Sequence, residues 1–113
     1  MSTENFEAIY AAAVDAGQNA AKAENAKFGP EQSRGFDCGF AWVVLKPATS
    51  PFVKWLKANK HGSKHYPSGW SIWYSEFSEA MTQSVSVHHA AAKAFAEVLV
   101  SHGLPAYADQ RLD

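Results

Sequence analysis

The sequence has few of the features that mark secreted, disulfide-bonded or membrane-spanning proteins. A single cysteine, Cys38, stands among 113 residues, which excludes an internal disulfide and any metal site built from several thiolates. No apolar run approaches the roughly 18 residues that a transmembrane helix requires. The first residues are polar and acidic, unlike the basic and apolar start of a secretory signal. We therefore expect a soluble, cytoplasmic protein without a membrane partner.

Acidic residues are missing from the middle of the chain. Residues 38–75 contain five lysines and no aspartate or glutamate, whereas residues 1–37 and 76–113 each carry a net charge of −3. The whole chain has a net charge of −1, so its overall charge indicates neither nucleic acid nor membrane as a partner. The basic middle either compensates the acidic ends across the fold or forms a binding surface.

The remaining composition is that of an ordinary globular domain. Hydrophobic residues make up 47% of the chain and charged residues 19%, a balance that argues against disorder. A chain of 113 residues fits a single domain, 1–113, able to bury on the order of two thirds of its unfolded surface. We expect an N-terminal helix within residues 1–28, a loop over 29–37 and an α/β core over 38–113.

The spacing of apolar residues predicts alternating helices and strands. Residues 39–46 are apolar at nearly every position, which is typical of a central strand buried on both faces. Thr3, Ser50, and either Ser84 or Ser86 are the expected N-caps, and Gly103 is the expected end of the last helix. The predicted order is α-β-α-β-α-β, over about residues 4–23, 39–46, 51–60, 70–77, 85–102 and part of 104–112.

This order predicts α/β or α+β layering, with about three helices packed on a small three-stranded sheet. A hairpin within residues 62–84 would make the sheet mixed. The Ala- and Gly-rich part of the first helix permits packing against a second copy of the chain, so a homodimer is one of the expected assemblies.

Residues that could carry catalysis or hold a metal form no recognisable motif. Cys38 follows Asp37, which would raise the pKa of the thiol, so we interpret Cys38 as structural. His61 and His65 flank the predicted end of a helix, and the adjacent His88 and His89 point about 100° apart on a helix. The segment 62–64 (Gly-Ser-Lys) lacks the spacing of a phosphate loop. We expect no catalytic residue, metal or cofactor; an enzyme that uses histidine acid–base chemistry is the minor alternative.

One group of residues combines basic and aromatic side chains. Lysines bind phosphate oxygens and aromatic rings stack on bases, so such a group suits a single-stranded nucleic acid or a nucleotide, or an acidic protein. Trp70 and Trp73 point to opposite faces of a strand, so one of them can belong to the core. No established nucleic-acid-binding motif is present. The predicted binding surface consists of Lys54, Lys57, Lys60, His61, Lys64, His65, Tyr66, Trp70, Trp73, Tyr74 and Arg111.

Over about residues 36–113 the sequence resembles a family of small proteins encoded by tailed bacteriophages. The resemblance is carried by segments 38–42 (Cys-Gly-Phe-Ala-Trp), 50–52 (Ser-Pro-Phe), 54–56 (Lys-Trp-Leu), Gly69, 72–73 (Ile-Trp), 94–99 (Ala-Phe-Ala-Glu-Val-Leu), Gly103, Tyr107 and 111–113 (Arg-Leu-Asp). The family has no assigned activity, so the resemblance implies a context and no catalytic residues.

Small phage proteins without a cofactor often act by binding host factors. The resemblance therefore implies an accessory protein in the host cytoplasm that binds a host macromolecule, as an inhibitor of a defence system or of a host enzyme would. The alternative is binding of nucleic acid or nucleotide through the surface around residues 54–74.

Overall fold

The computed structural model describes residues 5–26, 39–65, 68–78 and 85–112. The three predicted helices are confirmed, with bounds that differ from the expected ones by at most three residues. In chain order the elements are α1 (Phe6–Ala26), β1 (Gly39–Leu45), α2 (Pro51–Ala58), β2 (Ser63–Lys64), β3 (Trp70–Trp73), a short 3-10 helix (Tyr74–Glu76), α3 (Val85–Ser101) and β4 (Ala106–Leu112).

The described strands form one antiparallel sheet in the order β2-β3-β1-β4. The expected count of three strands is wrong, because the segment expected to be a loop after α2 contributes β2 and pairs with β3 as a hairpin. Two residues are too few to show the period-2 pattern that identifies a strand. The sheet is also not mixed, since all of its described pairings are antiparallel. The fold class is α+β, and β1 is a central strand as predicted.

After α1, the element order is βαββαβ. Together with the strand order 2-3-1-4, this is the connectivity of the split β-α-β, or ferredoxin-like, arrangement. The connectivity places β1 and β3 next to each other in the middle of the sheet.

Local sequence signals set several element ends. Ser50 caps α2 as predicted, since its Oγ accepts a hydrogen bond from the amide of Val53 at 3.3 Å. Asn5 performs this role for α1, with Oδ1 3.1 Å from the amide nitrogen of Ala8. Gly103 follows α3 with a φ of 79°, the left-handed conformation that ends many helices. The expected caps Thr3 and Ser84 lie outside the described residues, and Ser86 lies within α3.

The strand expected over 70–77 ends at Trp73, and the chain turns into the 3-10 helix. The aromatic run 70–77 has the composition of a longer strand, but β1 pairs with it only as far as Trp73. A strand needs a neighbour for its backbone hydrogen bonds, so strand length depends on the partner as well as on local sequence.

One face of the sheet carries the hydrophobic core. Ala41, Val43 and Leu45 of β1 point into it and are almost fully buried. They join buried residues of all three helices, including Ile9 of α1 and Phe95 of α3, in one hydrophobic cluster. We call this side of the sheet the helix face. None of the described helices is long and apolar enough to cross a membrane.

The Ala- and Gly-rich side of α1 packs within the chain. Ala13 and Ala21 are fully buried. A Cβ added to Gly17 would lie 2.8 Å from the carbonyl oxygen of Phe77 and 3.3 Å from that of Ala91. The small residues therefore allow α1 to approach α3 and the end of the 3-10 helix. Ala11, Ala12, Ala23 and Ala26 of the same helix are exposed, and packing of α1 against a second copy stays a prediction.

Candidate functional site

The second face of the sheet carries a group of aromatic side chains. In the pairing of β1 with β3, Trp42 lies opposite Trp73, and in the pairing of β1 with β4, Phe40 lies opposite Arg111 and Val44 opposite Tyr107. Directly paired residues point to the same side of a sheet. The buried cluster that contains the helices includes none of these residues. We call the surface formed by Phe40, Trp42, Trp73, Tyr107 and Arg111 the aromatic face.

The rings of Phe40, Trp42 and Trp73 contact one another on the aromatic face. Trp42 and Trp73 stack with ring centroids 5.0 Å apart and planes at 30°. Phe40 meets Trp73 edge-on at 5.9 Å, and the Arg111 guanidinium lies 6.0 Å from the centroid of the Phe40 ring. These are the offset and edge-on arrangements that aromatic rings favour, and a guanidinium over a ring adds a cation–π attraction.

Part of this surface is open to solvent. Trp73 is 40% exposed and Tyr107 47% exposed, values that are high for such large apolar side chains. Phe40 and Trp42 are half-buried, and Arg111 is exposed. The centre of the face is therefore the stacked pair of Trp42, which is half-buried, and Trp73, which is exposed.

The indole nitrogen of Trp42 is an exception to the usual pairing of buried polar atoms. It is buried, and none of the described residues forms a hydrogen bond with it. Leaving a buried donor unpaired costs about 1–3 kcal/mol. The contact that Trp42 makes on this face is therefore through its ring, which stacks on Trp73.

The structure divides the predicted basic–aromatic surface between two places. Lys54, Lys57 and Lys60 are exposed on or just after α2, which packs on the helix face. Trp70 lies on that side too: Lys57 Nζ is 5.1 Å from its ring centroid, and its Nε1 donates to the carbonyl oxygen of His61 at 2.9 Å. Because the sheet lies between them, these lysines do not join Trp73 in a single surface.

The other predicted site residues are also separated. Lys64 pairs with Trp70 in the β2–β3 hairpin, and the amide of His65 donates to the carbonyl oxygen of Gly69 at 3.1 Å. Tyr74 lies at the margin of the aromatic face, where it stacks on Phe40 at 6.4 Å and on the buried His88 at 3.9 Å. Tyr66 lies outside the described residues, as do Cys38 and the expected loop 29–37. Of the predicted set, Lys57, His61 and Trp70 meet on the helix face, and Trp73 and Arg111 both lie beside Phe40 on the aromatic face.

A second group of polar residues surrounds Glu76, which the sequence analysis did not single out. The Glu76 carboxylate accepts hydrogen bonds from the Tyr10 hydroxyl and from the amide of Gly62 (3.1 Å), and it lies 3.2 Å from Nδ1 of His61. Tyr10 also stacks on His61 with ring centroids 4.2 Å apart. Burial, and then the hydrogen bond to Glu76, raise the pKa of the Tyr10 hydroxyl. Glu76 ties together three segments that are distant in sequence, which no local motif could reveal.

This cluster borders a cavity of about 540 Å³ between α1 and α2, walled by Tyr10, Trp55 and His61. The carboxylate near Nδ1 orients the His61 ring, which is also the arrangement found in histidine acid–base sites. The carboxylates of Glu7 and Asp15 on α1 also line this cavity. The prediction that the protein has no catalytic residue stays a prediction.

The adjacent histidines of α3 have different surroundings. His88 is buried, with Nδ1 2.7 Å from the Ser78 hydroxyl oxygen. His89 lines a groove of about 560 Å³ beside Lys93 and Gln110. Burial and then the Lys93 charge lower the pKa of His89, partly offset by Asp109. Within the described ranges, no three His, Cys, Asp or Glu side chains are grouped as a metal site would require.

Comparison with known proteins adds no further assignment. No protein family, curated protein or solved structure shows a significant match to this chain. The resemblance to a phage-encoded family and the expected location in the host cytoplasm therefore stay predictions.

Proposed function

We propose that this protein binds single-stranded nucleic acid on the aromatic face. One observation carries the proposal: Trp73 is 40% exposed on a central strand and stacked on Trp42, on the side of the sheet opposite the described helices. An exposed ring that is held rigidly by a second ring offers a flat surface on which a base can stack with little loss of side-chain entropy.

The composition of the face fits a single strand better than a duplex. Base stacking on an aromatic side chain contributes about 1–3 kcal/mol for each base, and it requires bases that are not already stacked within a double helix. Arg111 and Asp109 both point to this face. Arg111 lies beside the rings at Phe40, where it can meet a phosphate or stack on a base. Tyr107, 47% exposed on β4, extends the row of rings toward the sheet edge.

A four-stranded antiparallel sheet with aromatic side chains on one face is also the platform of a common class of RNA-binding domain. That parallel concerns architecture alone, since folds host many unrelated functions. It supports the proposal because the same physical arrangement, rings fixed on strands and a helix layer behind them, is present here.

The proposal can be tested by fluorescence anisotropy with labelled single-stranded DNA, single-stranded RNA and duplex DNA. We expect the single strands to bind and the duplex to bind much more weakly. Trp73→Ala should weaken single-strand binding by about tenfold or more, as the loss of one stacked base predicts. Arg111→Ala should weaken it by a smaller factor and reduce its dependence on salt.

A matched control separates this face from the lysines of α2. Charge reversal at Lys54 and Lys60 leaves the aromatic face untouched, because these side chains lie on the opposite side of the sheet. We expect these variants to retain most of the affinity. Binding that survives Trp73→Ala but is lost on reversal of the α2 lysines would refute the proposal and support the surface around residues 54–60.

Binding of a host protein is the second candidate, and the exposed ring of Trp73 is the observation that favours it. A large aromatic side chain surrounded by packed neighbours is a common centre of protein interfaces. A pull-down from bacterial lysate with and without nuclease distinguishes the two candidates. A protein that wild type retains after nuclease treatment, and Trp73→Ala does not, would favour the protein partner.

A further inference from the structure

The outer edge of β4 is available for pairing in the described structure. In the strand order β2-β3-β1-β4, this seven-residue strand pairs with β1 on one side only. Exposed residues lie along it, with Tyr107, Gln110 and Arg111 all open to solvent. The unpaired backbone groups of such an edge can form hydrogen bonds with another strand.

One hydrogen bond shows which backbone groups point outward. Gln110 lies opposite Ala41 of β1, yet its amide donates to Oδ1 of Asp109 at 2.8 Å. Its N–H therefore points away from β1. In an antiparallel ladder the outward and inward positions alternate, so the amides of Ala108 and Leu112 point outward as well. A further strand would pair with these even-numbered positions.

The charges of β4 are arranged to match a second copy of the same strand. Asp109 and Arg111 are two residues apart, so both side chains point to the aromatic face. If two β4 strands pair antiparallel about a twofold axis at Gln110, Asp109 of each copy lies directly across from Arg111 of the other. Axes at Asp109 or Arg111 would instead place like charges opposite each other, which is destabilising.

We propose that the chain forms a symmetric homodimer by antiparallel pairing of β4 with β4 of a second copy, centred on Gln110. In this register Gln110 pairs with Gln110 and Ala108 with Leu112, all positions whose amides point outward. Asp109 gives up its bond to the Gln110 amide and pairs with Arg111 of the second copy, and the freed amide bonds across the axis. The two sheets join, with both aromatic faces on the same side.

An exposed apolar side chain on the helix face of the same edge supports this assembly. Val100 of α3 is 55% exposed and lines a groove of about 370 Å³ together with Ala106 and Ala108 of β4. A second copy seated against β4 would cover this groove. At this single edge the dimer would therefore form backbone hydrogen bonds between the two β4 strands, pair Asp109 with Arg111, and cover the side chain of Val100.

Sedimentation velocity from micromolar to millimolar protein concentration tests the proposal. We expect wild type to self-associate, and Asp109→Arg or Arg111→Asp to weaken association by about tenfold, since each places like charges across the axis. The double variant Asp109→Arg/Arg111→Asp restores opposite charges in the same register, so it should regain most of the affinity. Lys54→Glu, a charge reversal far from this edge, should have no effect.

A backbone variant gives an independent measurement. Gln110→Pro removes an N–H that does not bond to β1, and proline is tolerated on edge strands. It should keep the far-UV circular dichroism spectrum of wild type and abolish association. Two results would overturn the proposal: a wild type that stays monomeric at all measured concentrations, or a double variant that self-associates no more tightly than the single variants. Trp73→Ala leaves the edge intact, so failure of nucleic-acid binding and failure of dimerisation can be told apart.

Discussion

Trp42 and Trp73 lie directly opposite each other on the two central strands, with their rings stacked 5.0 Å apart at 30°. They are separated by 31 positions in sequence, and only the antiparallel register of β1 with β3 brings them together. This pair is the centre of the proposed binding face. Its contribution to folding can be measured separately from its role in binding.

A double-mutant cycle on this pair should give a coupling free energy of about 0.5–1.5 kcal/mol, the usual range for aromatic pairs. The variants are Trp42→Ala, Trp73→Ala and the double substitution, each unfolded with urea at equilibrium. Trp42→Ala should destabilise more than Trp73→Ala, because Trp42 is the more buried of the two. Fully additive effects would show that the stacked rings do not support each other.

Gly17→Ala should destabilise the protein, although alanine is the better helix former. In an open helix the substitution would add about 1 kcal/mol of stability. Here the new Cβ would lie 2.8 Å from the Phe77 carbonyl oxygen, so α1 would have to move away from its neighbours. We expect a net loss of about 1–3 kcal/mol in the free energy of unfolding.

The matched control for this position is Ala12→Gly, at an exposed position of the same helix. Ala12→Gly should lower the free energy of unfolding by about 1 kcal/mol, because glycine has a lower helix propensity than alanine. A Gly17→Ala variant that is more stable than wild type would show that α1 and α3 are not packed as closely as described.

Glu76→Ala should lower the free energy of unfolding by about 1–3 kcal/mol. The substitution leaves the Gly62 amide and the Tyr10 hydroxyl without their acceptor and frees the ring of His61. Glu76→Gln keeps an acceptor oxygen, so its free energy of unfolding should fall by less than that of Glu76→Ala. Denaturant titration at neutral pH measures both variants, and equal stability of wild type and Glu76→Ala would exclude a structural role for this carboxylate.

His89 should make the free energy of unfolding depend on pH. This free energy should fall as the pH falls below about 6.5, the ordinary pKa of histidine. Its pKa in the folded chain is lowered by burial and by Lys93, so the unfolded chain takes up the proton more readily than the folded one. The stabilising contribution is present above about pH 6.5 and is lost below it. His89→Gln should show a shallower loss between about pH 7.5 and pH 5. The same slope in both proteins would contradict this assignment.

Much of the architecture follows from local pattern. The spacing of apolar residues predicted the three helices, and the nearly continuous apolar run over residues 39–46 predicted that β1 is a central strand. Ser50 before Pro51, and Gly103 after α3, marked helix ends because capping and left-handed backbone depend on residues close in sequence. These signals are local, so a single sequence is enough to interpret them.

Strand pairing and the composition of the candidate site depended on the tertiary structure. The sequence placed Lys57 and Trp73 in one surface because they are near each other along the chain. The sheet separates them, because alternate residues of a strand point to opposite faces. Conversely, Trp42, Trp73 and Arg111 lie on three strands and meet only through the pairing register. Local sequence determined which segments form helices and strands, whereas long-range hydrogen bonding decided which side chains share a face.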